Sequence, residues 1–231
     1  MPDPVPTASQ AFFNPESPFV TLTGWEPQRE NPTNQRQRAQ SLKKNGDELN
    51  KRLYDGKQVV SGEYVASADN AAIPKVGIVL NGYHVDSLQV KFINNDFVKM
   101  TVNGHKHTGT GVTSHATGSC RTYTGSLTAL TSMFGIPATL PGLVLPTGTG
   151  IRSATYTLQC NHIDEPNRVG DFLAGDNHDG SETMEVELCE SGTVTADTGW
   201  DLMTDGHNRG MDSAEALTAT VEHHLQCDVA A

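Results

Sequence analysis

Residues 182–190 read Glu-Thr-Met-Glu-Val-Glu-Leu-Cys-Glu, so that Met184, Val186 and Leu188 alternate with Glu185 and Glu187. A period of two is the spacing of a β-strand, in which successive side chains point to opposite faces. One face of this segment enters a core and the other presents a row of carboxylates. The charge of the whole chain is segregated in the same direction. Residues 151–231 hold sixteen Asp and Glu against three Lys and Arg, whereas residues 1–60 and 61–150 each carry one net positive charge. An acidic sheet face repels a nucleic-acid backbone, which argues against a module that grips DNA.

Composition supports β-structure throughout. Charged residues make up 19% of the chain, below the usual quarter, and Gly reaches 22 residues of 231. Thr and Gly in quantity suit sheets with many turns. The length allows one large β-domain or two small ones. No run of about 18 apolar residues is present, so no membrane association is expected. The opening Met1-Pro-Asp-Pro-Val-Pro6 has no basic region ahead of an apolar stretch, so no secretory signal is expected either. Cys120, Cys160, Cys189 and Cys227 form no Cys-x-x-Cys pair and are expected as reduced thiols.

Residues 1–35 read as an extended arm, with prolines at 2, 4, 6, 15, 18, 27 and 32. Such a stretch does not order itself alone. Yet it carries Phe12, Phe13, Phe19 and Trp25, which suggests docking onto a neighbouring subunit or back onto its own domain. Residues 36–57 are read as a polar β-hairpin rather than two short helices, because Asn45-Gly46 is the strongest short-range hairpin signal. Residues 58–231 are expected to form the β-core. Strands are expected at Val59–Val65, Lys75–Leu80, His84–Phe92, Phe97–Val102, Ile151–Ile163, Glu182–Glu190, Thr193–Asp197 and Ala214–Asp228. Turns are expected at Asn81-Gly82 and Asn94-Asn95-Asp96. A long loop is expected over 104–150, with a short helix possible at Ser126–Met133. The apolar, Pro/Gly-broken run from Met133 to Leu145 favours burial against a partner.

Motifs for chemistry are sparse. His105 and His107 lie at i, i+2 and share one strand face, a spacing that can chelate a metal. No Glu follows within residues 108–119 to complete a cupin-type set, and the alternative is a pair of hydrogen-bonded strand-end histidines. Residues 170–181 resemble a calcium loop, but with Gly180 at loop position 6 the first ligand position falls on Gly175, so the EF-hand register fails. An irregular site at Asp176 and Asp179 competes with an Asx-rich turn before the Glu182 strand. No Gly-x-Ser-x-Gly, His-Glu-x-x-His, Walker A or dinucleotide-binding glycine motif occurs. The expectation is a protein that is not an enzyme, with no cofactor and no assigned metal.

The run Val85–Phe97 leading into Met100–His107, together with Ile151–His162 and Phe172–Asn177, resembles structural proteins of tailed-bacteriophage virions, tail-tube subunits above all. The resemblance spans about residues 45–228 and is one of layout rather than of a diagnostic motif. It implies an all-β fold, a β-sandwich or incompletely closed barrel with an extended N-terminal arm and a protruding hairpin. It implies a homo-oligomer that stacks in rings with other virion proteins, made in the host bacterial cytoplasm and residing in the virion, with DNA only as passing cargo. On that basis Glu185 and Glu187 are candidate channel-facing residues, and Phe12, Phe13, Trp25, Asn45, Gly46, Phe134 and Leu143 are candidate subunit contacts. A capsid decoration or neck protein of such a virion is one alternative. A calcium-dependent carbohydrate-binding or adhesive β-module is another, and a metal-dependent enzyme using His105 and His107 is a third.

Overall fold

The structure, a computed structural model, describes residues 19, 22–107, 121–145, 150–166, 168, 172–189, 194–208 and 216–225. Among these residues there is no helix. The strands are β1 (Trp25–Leu42), β2 (Glu48–Ala66), β3 (Val79–Leu80), β4 (Tyr83–Ile93), β5 (Lys99–His107), β6 (Leu143–Val144), β7 (Ile151–Pro166), β8 (Phe172–Leu188), β9 (Thr195–Ala196), β10 (Asp201–Asn208) and β11 (Ala216–Leu225). Nine strands form one antiparallel sheet in the order β1-β2-β5-β4-β7-β8-β11-β10, with β3 on β4, while β6 and β9 form a separate pair. The large sheet is open, and the chain has the all-β, sandwich-like architecture expected of it.

Register explains how the sheet makes a core. Leu88 pairs with Val102 on one side and Leu158 on the other, and Val90 with Met100 and Tyr156. The row continues from Tyr156 to Met184 and from Met184 to Val221. All these side chains project from one face, and all are buried. Segments outside the strands pack onto that face. Ile73 N–H donates to Thr128 O (2.8 Å), Val76 N–H to Tyr123 O (3.1 Å) and Leu130 N–H to Ala71 O (2.9 Å). Ile73, Val76, Tyr123, Leu130 and Leu140 thereby enter the core. The opposite face carries Gln89, Thr101, Thr155, Thr157 and Glu185, as an antiparallel sheet with one solvated side does.

Several expectations are corrected. The stretch Ser126–Met133 is not a helix; it runs extended, with an isolated bridge from Ala129 to Ala72. Residues 172–181 are strand rather than an Asx-rich turn, because β8 starts at Phe172 and pairs with β7 as far as Pro166. The arm is shorter than 1–35, since β1 begins at Trp25 and its residues are paired along β2. Strand β10 was not anticipated. The Asn45-Gly46 hairpin is present: Gly46 adopts φ 90°, its N–H donates to Lys43 O (2.9 Å), and Lys43 N–H donates to Asp47 O (2.7 Å).

Two candidate contact residues lie inside the subunit. Trp25 is 5% exposed, and its indole N–H donates to Ala72 O at 2.8 Å. The arm residue Phe19 is also buried, with its ring edge-on to Tyr64 at 6.5 Å. Here the arm folds back onto its own domain. Leu143 joins the same core, while Phe134 remains exposed in an edge-to-face pair with Phe97 at 5.4 Å. The apolar excursion is therefore covered mainly by its own chain. Asn45 and Gly46 lie at the exposed hairpin tip, and Phe12 and Phe13 lie outside the described residues.

Among the described residues the core encloses one carboxylate. Glu182 shares the inward phase of Met184 and is fully buried. Its Oε2 accepts from Ser126 N–H and Tyr156 O–H, both at 2.6 Å, and its Oε1 accepts from Ser126 O–H at 2.6 Å. His223 Nδ1 lies 2.9 Å from Oε1. Burial first, and then the adjoining carboxylate, push the Tyr156 phenol well above its ordinary value. Gly125 is required beside this network, because a Cβ there would overlap the Tyr156 hydroxyl and lie 2.9 Å from Glu182 Oε2. Gly125→Ala is expected to destabilise the fold by about 1–3 kcal/mol, read as a lower midpoint in urea unfolding with an unchanged slope.

Candidate metal centre

Three short repeats of the same design meet at one end of the sheet. His84-Val-Asp86 opens β4, His105-Lys-His107 closes β5, and His162-Ile-Asp164 lies towards the end of β7. In β5 and β7 the i, i+2 spacing places both polar side chains on one strand face; in β4 the bulge falls at Asp86, whose carboxylate still meets His84. Strands β5, β4 and β7 are consecutive in the sheet, so the three pairs fall side by side. Register shifts occur at Val85/Ser87 and at Gln159/Asn161, between the apolar rows and the histidines. Bulges at such points re-aim side chains. In β5 the core residues are Met100 and Val102, so His105 and His107 point to the opposite face. They are nevertheless only 1% and 5% exposed.

The contacts form two linked halves. Asp86 bridges two rings, its Oδ1 lying 2.8 Å from His84 Nδ1 and its Oδ2 2.8 Å from His105 Nδ1. Asp164 Oδ1 lies 3.1 Å from His107 Nε2 and 2.9 Å from His162 Nε2, and Lys57 Nζ stands 3.5 Å from Oδ2. The rings pack on one another, with centroids 5.0 Å apart for His84 and His105 and 4.3 Å for His84 and His162. Phe172 stacks on His107 at 3.8 Å and closes the site from the β8 side.

Beyond the rings, Asn177 orients His162. Its amide N–H groups donate to Gly77 O (3.3 Å) and Arg121 O (2.6 Å), which fixes the carbonyl Oδ1 towards His162 Nδ1 at 2.9 Å. The electrostatics follow from these contacts. Burial raises the Asp86 carboxyl, but hydrogen bonds from His105 and His84 outweigh it and hold the group well below the usual carboxylate range. Asp164 is also held low, its burial being overcome by His107 and His162. Burial lowers His105 below its ordinary value despite Asp86. For His162, burial is outweighed by Asp164 and Asn177, and the shift is upward.

The donor atoms of His105, His107, His162 and Asp164 all lie within 4.8 Å of one another, as do those of His84, Asp86 and His105. Of these six residues, the sequence singled out only His105 and His107. The readable signal for the rest was the repetition of His-x-Asp at 84–86 and 162–164, a spacing of the same kind. The other candidate residues are not gathered in this way. Among the described residues Asp176 and Asp179 join no convergent set: Asp176 caps its neighbour's N–H at Asn177 and faces Arg121 at 3.7 Å. Glu185 is exposed on the outer face, and Glu187 beside it meets Arg152 Nη1 at 3.3 Å. Cys160 is a buried thiol and Cys189 a half-buried one, neither in a disulfide, while Cys120 and Cys227 lie outside the described residues. An open groove of about 330 Å³ between Leu127, Leu140 and Trp200 has Asp197 as the one ionisable residue among its described lining residues. Comparison with protein-family models and with curated proteins finds no match to this chain, so its functional reading rests on geometry and on the residues themselves.

Proposed function

We propose that this chain is a non-enzymatic structural subunit of a phage-like virion that self-assembles through rings into a tail tube. The observation that carries the reading is the β1–β2 hairpin. Among the described residues, pairing of β2 with β5 runs as far as Lys57, opposite His107. Beyond it, among the described residues, β1 and β2 pair only with each other to the turn at Asn45-Gly46. At about 3.3 Å per residue, this extension reaches roughly 30 Å from the sheet. Residues 38–50 are all exposed, and Leu42 and Leu49 flank the turn at 57% and 56% exposure. A two-stranded hairpin is marginal in water on its own. A hairpin of this length with apolar residues at its tip is suited to lie against another subunit.

The open sheet supports the same reading. Its outer strands are β1 and β10. Pro27 and Pro32 remove donors from β1 and blunt that edge against indiscriminate pairing. Strand β10 exposes Leu202 and Met203 near its start. Joining unlike edges head to tail is the geometry that closes into rings. The polar face opposite the core carries Glu63, Glu185, Glu187 and Glu222 on β2, β8 and β11, with Lys91 and Lys99 on the strands between. In a tube this is the face to turn towards the channel, where its carboxylates keep DNA, as passing cargo, from adhering. A neck or capsid decoration protein would use the same hairpin on a different neighbour.

Assembly is the test. Purified protein at rising concentration is expected to form rings or tubes in negative-stain images, with light scattering rising steeply above a threshold concentration. A strict monomer at millimolar concentration would overturn the tube.

A further inference from the structure

We propose that His105, His107, His162 and Asp164 bind one divalent first-row transition-metal ion, zinc being the best fit, as a staple between β5 and β7. The argument begins with the ring nitrogens. His162 Nδ1 faces the Asn177 carbonyl at 2.9 Å, and its Nε2 faces Asp164 Oδ1 at 2.9 Å. Both nitrogens thus meet acceptors. A neutral imidazole has a single N–H, so one contact is left as lone pair against lone pair unless a cation lies between them or the ring is charged. The fixed Asn177 amide assigns the proton to Nδ1 and turns the Nε2 lone pair to Asp164.

His105 follows the same logic. Its Nδ1 is held by Asp86 Oδ2 at 2.8 Å, so Nε2 is the atom we assign to the ion. Metal-binding histidines commonly donate the other ring N–H to a carboxylate or a carbonyl, which sets tautomer and orientation. Asp86 and Asn177 occupy those two supporting positions. The distances also suit an ion. Donors about 2.1 Å from a metal lie roughly 3–3.5 Å from each other; Asp164 Oδ1 is already 3.1 and 2.9 Å from the Nε2 atoms of His107 and His162. The widest separation in the set, under 4.8 Å, needs only a side-chain adjustment of about 1 Å to meet the same spacing.

Three imidazoles and one carboxylate are a donor set for zinc and its neighbours rather than for calcium or magnesium. Four protein donors in a buried setting leave no open position for substrate, which is the character of a structural site. The ion would tie residues 57 apart in sequence, His107 and Asp164, across the intervening β4. Lys57 Nζ at 3.5 Å balances the other carboxylate oxygen, Oδ2, and leaves Oδ1 to the ion. The staple is complete within one subunit, so metal binding and ring assembly stand or fall separately.

The test uses the tag-free full-length chain, stripped with a chelator and titrated with zinc chloride or cobalt chloride. One equivalent per chain is expected, with visible absorption from four-coordinate cobalt and a higher thermal midpoint on adding zinc. His162→Gln should weaken binding by at least about 100-fold and Asn177→Ala by about 10–100-fold, with the far-UV circular dichroism retained. His224→Gln, outside the group, should bind as the unaltered protein does. No uptake by the stripped, folded wild-type chain would overturn the site and leave a hydrogen-bonded histidine network. Uptake that is unchanged in His162→Gln would overturn it equally, since the ion would then be bound elsewhere.

Discussion

Replacing Glu182 with alanine is expected to cost about 3–5 kcal/mol of stability, the range for removing one member of a buried charged network. For a chain of this length that corresponds to a fall of roughly 10 °C in Tm. The reason lies in what remains behind. Ser126 N–H, Ser126 O–H and Tyr156 O–H all donate to this carboxylate at 2.6 Å, and after the substitution all three point into an apolar cavity. An unsatisfied buried donor is costlier than the net gain of a made hydrogen bond. The network also ties three parts of the fold together: β7 through Tyr156, β11 through His223, and the covering segment through Ser126. Glu182→Gln keeps the volume but sets an amide N–H₂ against donors, so an intermediate loss of about 1–3 kcal/mol is expected. Glu185→Ala, three residues along on the exposed face, should stay within about 0.5 kcal/mol. Thermal and urea unfolding of the three variants checks the order. Equal losses for Glu182→Ala and Glu185→Ala would remove the buried carboxylate from its central place.

That contrast also marks what was legible in the sequence. The alternation of Met184, Val186 and Leu188 with Glu185 and Glu187 gave strand and faces correctly, because period two is a local property. Glu182 shares the inward parity of Met184 in the structure, but the sequence did not single it out. The chain offers no local sign that Ser126 and Tyr156 would meet it, since those contacts span 56 and 26 residues. Turn chemistry was local too. Gly46 in the first turn and both Asn81 and Gly82 in the second carry left-handed backbone conformations, with Asn81 at φ 49° and Gly82 at 79°. Strand length was not legible where composition misleads. Residues 172–181 are rich in Gly, Asp and Asn, yet β7 draws them into the sheet through cross-strand pairing. The histidine group is the sharpest case. His105 and His107 read as one weak pair. Only the order β5-β4-β7 brings His84-x-Asp86 and His162-x-Asp164 beside it, and strand order is set by the whole sheet.

Removing the tip of the β1–β2 hairpin should abolish assembly while leaving the subunit folded. Gln35 and Lys57 are register partners, so excising residues 36–56 and joining the two through Asn-Gly replaces the extension with a two-residue turn of the favoured type. The sheet keeps its described pairing without the excised part: β2 still pairs with β5 from Lys57 to Val65, and residues 38–50 contribute exposed side chains. The expected Tm is within a few degrees of the full chain. In the proposed ring the loss on the assembly side would be large, because the contact would be repeated at every subunit. If Leu42 and Leu49 are buried on a neighbour, each contributes about 1.5–3 kcal/mol. Together that is roughly a hundredfold to ten-thousandfold in each pairwise association constant. Leu42→Asp with Leu49→Asp should reproduce most of the effect without shortening the chain, and so separate tip contacts from hairpin length. Size-exclusion chromatography with light scattering and negative-stain imaging read both variants. Rings or tubes formed by the excised variant at the same threshold as the full chain would show that the hairpin faces solvent in the assembled state. The candidate contacts would then lie along the sheet edges, at Leu202 and Met203 on β10.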